Sequence, residues 1–372
     1  MPQYFPLGLA KGQAFCNRIA ERKRLKHNIN KGQHSLVIAT RRYGKSSLVL
    51  YVLNDMEVPY ASADLFIAVS DSDIEAEILL AVKALLNQLT SKLTQSVDYI
   101  KNFIKQLKLK LVIGSDGINL ELIPENGANA AQNIKSVLLL VESILKKQKQ
   151  RAVLFIDEFQ EISKVASAKS IEGAIRHIAQ QSEYLSLVFS GSNRHLLSNM
   201  FEDKSRPLYR LCDRIPITRI HEEDYVNFIQ NIATKTWKKS LTPAVLSSLF
   251  QLTERHPYYI NVLCGRIWAH FTKSPPTKAK QIELLWREYV QEQKSEIIRE
   301  LSFISELQKK ILVYIASGNN QKLTSKLSIQ TLDTTSGAIV KALSILQEKD
   351  YITRTENNEY YLIDPLLKSA IS

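Results

Sequence analysis

The stretch His34-Ser-Leu-Val-Ile-Ala-Thr-Arg-Arg-Tyr-Gly-Lys-Ser-Ser-Leu-Val-Leu50 constrains the fold of this 372-residue chain more than any other. A short apolar run leads into a loop closing on Gly44-Lys45-Ser46, and an apolar helix start follows. A strand that feeds a helix this way gathers backbone N–H groups at the helix N-terminus, where the dipole favours negative charge. The spacing matches a phosphate-binding loop. In such a loop Lys45 reaches the β- and γ-phosphates of a nucleotide and the Ser46 hydroxyl binds Mg²⁺. Ala39, Arg41, Arg42, Tyr43, Gly44 and Ser47 are the other loop residues expected against the nucleotide. The usual pattern opens on glycine, and here Ala39 stands in that place. An ordinary strand–turn–helix with a surface lysine is the competing reading of the motif taken alone.

A second segment supports the first. Arg151-Ala-Val-Leu-Phe-Ile-Asp-Glu-Phe-Gln160 is an apolar run without alternation, ending in two carboxylates. Such a run reads as a strand of a parallel sheet, buried on both faces. Two acids at the end of a buried strand are costly unless they have partners or work. Beside a phosphate-binding loop, Asp157 is expected to hold the Mg²⁺ shell and Glu158 to polarise the attacking water.

Strands and helices alternate through about residue 220, the pattern of a parallel α/β sheet. Strands are expected at 35–39, 64–69, 153–157, 187–191 and 214–217. Between the second and third, Lys108–Ile113 and Ile118–Ile123 flank a Gly-Ser-Asp-Gly turn. They predict a β-hairpin insertion with a charged outer face. From about 221 to 295 the signals turn helical, with Thr242-Pro243 as a cap and first-turn proline. A compact α+β unit is expected from 296 to the end. It has a helix over 308–315, a capped helix over 335–346, and two strands around Asn357-Asn358. Helices followed by such a ribbon suggest a winged helix-turn-helix. The expected division is therefore 1–220 with the hairpin near 108–123, then 221–295, then 296–372.

Bulk properties narrow the partners. No run reaches the ~18 apolar residues of a membrane span. The best candidate, Ser136–Val141, is broken at once by Glu142. No secretory leader is visible at the N-terminus. Cys16, Cys212 and Cys264 form neither a metal spacing nor a disulfide framework, so a cytoplasmic chain with buried thiols is expected. The net charge is +12, of which +9 falls in 1–220, +2 in 221–300 and +1 in 301–372. A basic excess suits a polyanionic partner. It lies with the expected nucleotide domain, where ATP itself or plain solvation accounts for part of it.

With these residues in place, the chain resembles the STAND class of P-loop ATPases, close to the group called archaeal-type ATPases, over nearly its full length. Phe15-Cys-Asn-Arg18 with Glu21 and Leu25 is similar to the family's F-x-x-R-x-x-E-x-x-x-L segment beside the adenine. Arg41-Arg-Tyr-Gly-Lys-Ser-Ser-Leu48 is similar to R-R-x-G-K-[ST]-S-L, and Asp157-Glu-Phe-Gln160 to the D-E-F-Q acidic strand. Ser190-Gly-Ser-Asn193 resembles the sensor strand, and Pro207-Leu-Tyr-Arg210 the P-L-Y-G-R stretch. His256-Pro-Tyr-Tyr-Ile260 with Leu263-Cys264 resembles the lid's G-H-P-Y-Y-x-x-x-L-C. Asp364-Pro-Leu-Leu367 resembles the D-P-L-L near the family's C-terminus. Besides Ala39, two departures stand out: Arg255 replaces the glycine before His-Pro, and Arg210 sits where the pattern has glycine.

The resemblance implies an ATPase core, a helical lid and a C-terminal winged helix, with Mg-ATP as ligand. It implies that Phe15 and Arg18 lie beside the adenine, that Ser192 and Asn193 contact the γ-phosphate or its water, and that His256 with Pro257 senses the β-phosphate. Arg194, Arg206 or Arg210 would stabilise transferred charge. The function so implied is an ATP-driven switch, slow to hydrolyse without a trigger, with a protein partner or self-association as its readout. Two alternatives stand beside it. One is an ATP-gated DNA-binding protein resembling origin-recognition initiators. Against it, the expected recognition helix, 335–347, carries only Lys341 as a basic residue, and DNA readers place several basic or amide groups there. The other is a scaffold with an inactive nucleotide site.

Overall fold

The computed structural model describes residues 4–90, 109–112, 121–124, 129–355 and 357–372. The chain divides into two compact units, 18–217 on one side and 1–17 with 218–372 on the other.

The first unit is a sheet between helices. In chain order it runs α1 (Ile19–Lys31), β1 (Ser35–Ile38), α2 (Lys45–Met56), β2 (Tyr60–Asp64), α3 (Asp71–Thr90), β3 (Leu109–Val112), β4 (Glu121–Pro124) and α4 (Ala130–Gln148). It continues with β5 (Ala152–Asp157), α5 (Ala168–Gln181), β6 (Leu185–Gly191), α6 (Arg194–Glu202) and β7 (Asp213–Pro216). Five strands form the sheet in the order β2-β5-β6-β1-β7, and every pairing is parallel. All residues of β6 and β1 are buried, as central parallel strands covered on both faces must be. The crossovers bring the ends of β1, β5 and β6 to one edge, and that edge carries the loop and the carboxylates. The acidic strand β5 is therefore separated from the loop strand β1 by β6.

Two buried polar groups hold this sheet in register. Glu142 accepts from the backbone N–H groups of Glu183, Tyr184 and Leu185, which feed β6. The carboxylate that interrupts the apolar run of α4 thus closes the turn into β6. His34, before β1, accepts from Leu187 N–H at Nδ1, and its Nε2 lies 2.7 Å from the Ala179 carbonyl.

One strand differs from expectation. The stretch predicted as a strand at 64–69 is a loop, and β2 lies upstream at Tyr60–Asp64. There Ala61 and Ala63 alternate inward on an edge strand. Asp64 ends it by accepting the Phe66 N–H at 3.0 Å, a side-chain turn that competes with the ladder. Apolar composition alone misled here, because Phe66, Ile67 and Val69 are mostly exposed. The predicted hairpin appears as β3 and β4, antiparallel with Leu109 opposite Pro124. Its turn at 114–117 and its outer face lie outside the described residues.

The second unit is helical with one ribbon. After α7 (Glu222–Trp237) come α8 (Pro243–Thr253), α9 (Pro257–His270), α10 (Ala279–Glu292), α11 (Lys294–Leu301), α12 (Glu306–Ala316), α13 (Lys326–Leu332) and α14 (Ser336–Glu348). The chain ends in β8 (Ile352–Arg354), β9 (Tyr360–Leu362) and α15 (Pro365–Ile371). The caps are those the sequence predicts: Thr242 accepts from Val245 N–H, and Thr335 from Ala338 N–H. β8 and β9 pair antiparallel. One apolar cluster runs from Ile220 to Leu367 and takes in Phe5 of the N-terminal segment, whose ring packs tilted against Trp268. The first 17 residues thus pack with 218–372, whereas the sequence alone joined them to the sheet.

Candidate functional site

The loop after β1 turns through two left-handed residues, Arg42 (φ 61°) and Gly44 (φ 84°), either side of Tyr43. Glycine suits the second because a Cβ there is strained, and nothing lies within 4 Å of where it would point. Ala39, which replaces the usual glycine, has no positive φ, so a methyl group costs its backbone nothing. Lys45 is buried, its Nζ 3.4 Å from the carbonyls of both Ala39 and Thr40. Arg18 is buried too and donates to Tyr43 O, tying the start of α1 to the loop.

Across from the loop, Asp157 ends β5 as a hub. One carboxylate oxygen accepts from the Ser46 hydroxyl. The other accepts from the Ser190 hydroxyl and from Glu158 N–H. Ser46 and Asp157 therefore converge as hard oxygen donors. That set suits Mg²⁺, which takes one or two protein oxygens and fills its octahedron with water and phosphate. Among the described residues no cluster of His, Cys, Asp and Glu offers a site built from protein alone.

Glu158 is held at both ends. Its backbone is left-handed (φ 49°). Its Oε2 accepts from Ser192 Oγ at 2.8 Å, Ser192 N at 3.3 Å and Gln160 Nε2 at 2.5 Å. Burial pushes its carboxyl pKa up, but the Gln160 and Ser192 hydrogen bonds and the Lys45 charge outweigh that and leave it lowered. Beneath it Phe159 is fully buried against Phe189 and Phe201.

The structure thus brings together Arg18, the loop from Ala39 to Ser47, Asp157, Glu158 and Ser192. Asn193 stands beside them, with its side chain capping α6 through Leu196 N–H. Arg206 is paired with the fully buried Glu172 of α5. Arg210 lies over the Tyr209 ring, and Arg194 opens α6. Phe15, His256 and Pro257 belong to the other unit, where His256 is buried and precedes α9. Two of the glycine replacements turn out alike. Arg210 (φ 52°) and Arg255 (φ 57°) are both left-handed, the conformation that glycine adopts without strain. Sequence reasoning passed over Ser190 and Gln160 as site residues. Both lay inside the quoted motifs, and only their side-chain partners distinguish them.

No family model matches the chain, and no curated protein matches it in sequence. Solved structures do resemble it. The Walker-type ATPase PABY2304 of Pyrococcus abyssi superposes with a TM-score of 0.71 at 16% identity, covering 99% of each chain. The Aeropyrum pernix ORC2 protein, solved as ADPNP–ADP complexes, gives 0.58 at 13%, covering 100% of this chain and 95% of its own. The ORC1 protein of the same organism, solved in complex with DNA, gives 0.50 at 13%, covering 100% and 94%. With the five-stranded parallel sheet and the loop at its edge, these likenesses give the chain the α/β fold of the P-loop NTPases.

Proposed function

We propose that this protein binds Mg-ATP at the edge of the sheet and hydrolyses it slowly, as a switch. The observation that carries this reading is the pairing of two hubs opposite the loop: Asp157 with Ser46 and Ser190, and Glu158 with Ser192 and Gln160. Lys45 and the loop N–H groups would hold the phosphates. Ser46 and Asp157 would hold Mg²⁺, which neutralises phosphate charge when bound. Glu158, kept ionised by its donors, would take the proton of the attacking water. Ser192 and Asn193 would face the γ-phosphate, Phe15 and Arg18 the adenine, and His256 with Pro257 the β-phosphate. Of the three arginines, Arg206 is the least available for transferred charge because Glu172 already claims it.

Membership of the STAND class, a lid over 221–295 and a winged helix over 296–372 belong to the same proposal. The capped helix α14 followed by the β8–β9 ribbon supports the last. A cytoplasmic chain is in keeping with three free cysteines and with the lack, among the described residues, of any helix long and apolar enough to cross a membrane. The favoured partner is a protein or a second copy. DNA is the second reading, favoured by the likeness to a protein solved on DNA and disfavoured by the lone basic residue on α14.

The test is Mg-ATP binding and turnover by wild type, Lys45→Ala and Glu158→Gln. Binding should survive Glu158→Gln while turnover falls at least about 100-fold, and Lys45→Ala should weaken binding. Failure of wild type to bind would sink the reading and leave the inactive scaffold.

A further inference from the structure

Gln160 sits where an amide is an odd choice. Its side chain is only 3% exposed. Its Nε2 donates to Glu158 at 2.5 Å and, more weakly, to Glu161 at 3.4 Å, and among the described residues its Oε1 has no hydrogen-bond partner. A buried acceptor left unpaired costs stability, and an apolar side chain of the same shape would avoid that cost. The amide is therefore retained for its other end. The seat it occupies is bought by a neighbour on β6. A Cβ on Gly191 would fall 2.0 Å from Gln160 Oε1 and 3.2 Å from its Cδ, with Leu197 Cδ1 at 3.0 Å as the lesser obstacle. Gly191 has no positive φ, so glycine is needed there for space and not for conformation.

The consequence lies at Glu158. Among the described residues, the Gln160 and Ser192 donors to its carboxylate fall on Oε2. Ser192 approaches from the end of β6 and Gln160 from the 3₁₀ turn Phe159–Lys164. Two donors from separate elements fix the rotation of the carboxylate and leave Oε1 as the oxygen that can face a water. We propose that Gln160 is a positioning residue for Glu158, and that position 191 is glycine to seat it. The proposal rests on the reading of Glu158 as the base. A base displaced by about 1 Å loses rate steeply while ground-state binding is untouched.

The experiment measures kcat, KM and nucleotide affinity on the full chain for wild type, Gln160→Met, Gln160→Ala, Gly191→Ala and the double variant Gln160→Ala with Gly191→Ala. Gln160→Met keeps the volume and removes the donor. It should lower kcat about tenfold or more, with KM and affinity within about twofold. Gly191→Ala should do the same by evicting the amide. In the Gln160→Ala background the clash with the amide is gone and only Leu197 Cδ1, 3.0 Å from the added methyl group, has to give, so the two losses should be strongly non-additive. An unchanged kcat in Gln160→Met, or simple additivity, would overturn the proposal. If wild type and Glu158→Gln hydrolyse alike, the functional reading fails instead, and the seat is judged by melting. Gly191→Ala should then destabilise the wild-type background clearly more than the Gln160→Ala background, where only the Leu197 contact remains. Equal destabilisation in both refutes it.

Discussion

The Tyr259 hydroxyl donates to Asp364 Oδ2 at 2.7 Å, joining the His-Pro-Tyr-Tyr segment to the Asp-Pro-Leu-Leu segment. The other carboxylate oxygen accepts the N–H groups of Leu366 and Leu367, so Asp364 also caps α15. Lys368 then pairs with Glu254, and Ser369 accepts from Trp286 Nε1. Two motifs that look independent in the sequence are thus one brace, fixing the last helix to the start of α9.

Removing parts of this brace should separate its components. Asp364→Ala loses a helix cap and a hydrogen bond to a charged group, and should destabilise by about 2–4 kcal/mol. Tyr259→Phe loses only the hydroxyl and should cost about 1–2 kcal/mol. Urea unfolding followed by tryptophan fluorescence reads both, since Trp286 reports on the brace. Equal costs would mean that the tyrosine contact, not the cap, dominates.

Phe159→Ala should be among the most damaging single changes in the sheet unit. Phe159 is fully buried, 4.4 Å from Phe189 and 5.6 Å from Phe201 between ring centroids. Truncation opens a cavity under Asp157 and Glu158, at a cost of about 3–5 kcal/mol. Thermal melts give the stability loss. Phe159→Leu should recover more than half of it.

Arg206 should act on stability rather than on turnover. Glu172 has no exposed surface, and Arg206 neutralises it. Burial raises the Glu172 pKa even though Arg206 opposes it. Taking Arg206 away strands a buried carboxylate, which costs about 3–5 kcal/mol. Arg206→Met should therefore melt early, and Glu172→Gln added to it should restore much of the loss. A purely catalytic loss for Arg206→Met, with an unchanged melting temperature, would contradict the pairing.

His34 should make stability depend on pH in one direction. Nδ1 accepts a backbone N–H, so the ring is neutral with its proton on Nε2. Burial lowers its pKa from 6.5, although the Ala179 carbonyl and the nearby Glu142 charge work the other way. The unfolded chain takes up this proton near 6.5 and the folded chain resists it, so the unfolded state binds more protons below that pH. The stabilisation is fully present above about pH 6.5 and is lost as pH falls towards the lowered folded value, at up to about 1.4 kcal/mol per unit. Denaturant midpoints of wild type and His34→Gln, taken from about pH 7.5 to about pH 5, should show the steeper fall in wild type.

Local signals carried much of the fold. Strand–loop–helix order, the caps at Thr242 and Thr335, and the acidic end of β5 each depend on neighbours within a few residues, and periodicity records such neighbours. The strand expected at 64–69 failed because apolar content does not say whether a segment is paired. The ladder partner of Asp64 is Asp157, far along the chain. The same limit hid Ser190 and Gln160: a serine inside a buried strand is unremarkable until the distant Asp157 is found against it, and a glutamine after an acidic pair until burial and Gly191 are seen to turn its amide onto Glu158.

The sequence by itself determined the loop, its lysine and serine, and the carboxylate pair, because these chemistries need particular residue types at short spacing. Tertiary structure alone decided that Asp157 is shared by Ser46 and Ser190, that Glu158 is gripped from two sides, that Arg206 belongs to Glu172, and that the first 17 residues pack with 218–372. Each of these depends on a contact between residues far apart in the chain, Ser192 in the case of Glu158. Which distant groups meet is set by sheet order and packing rather than by the local pattern around either partner.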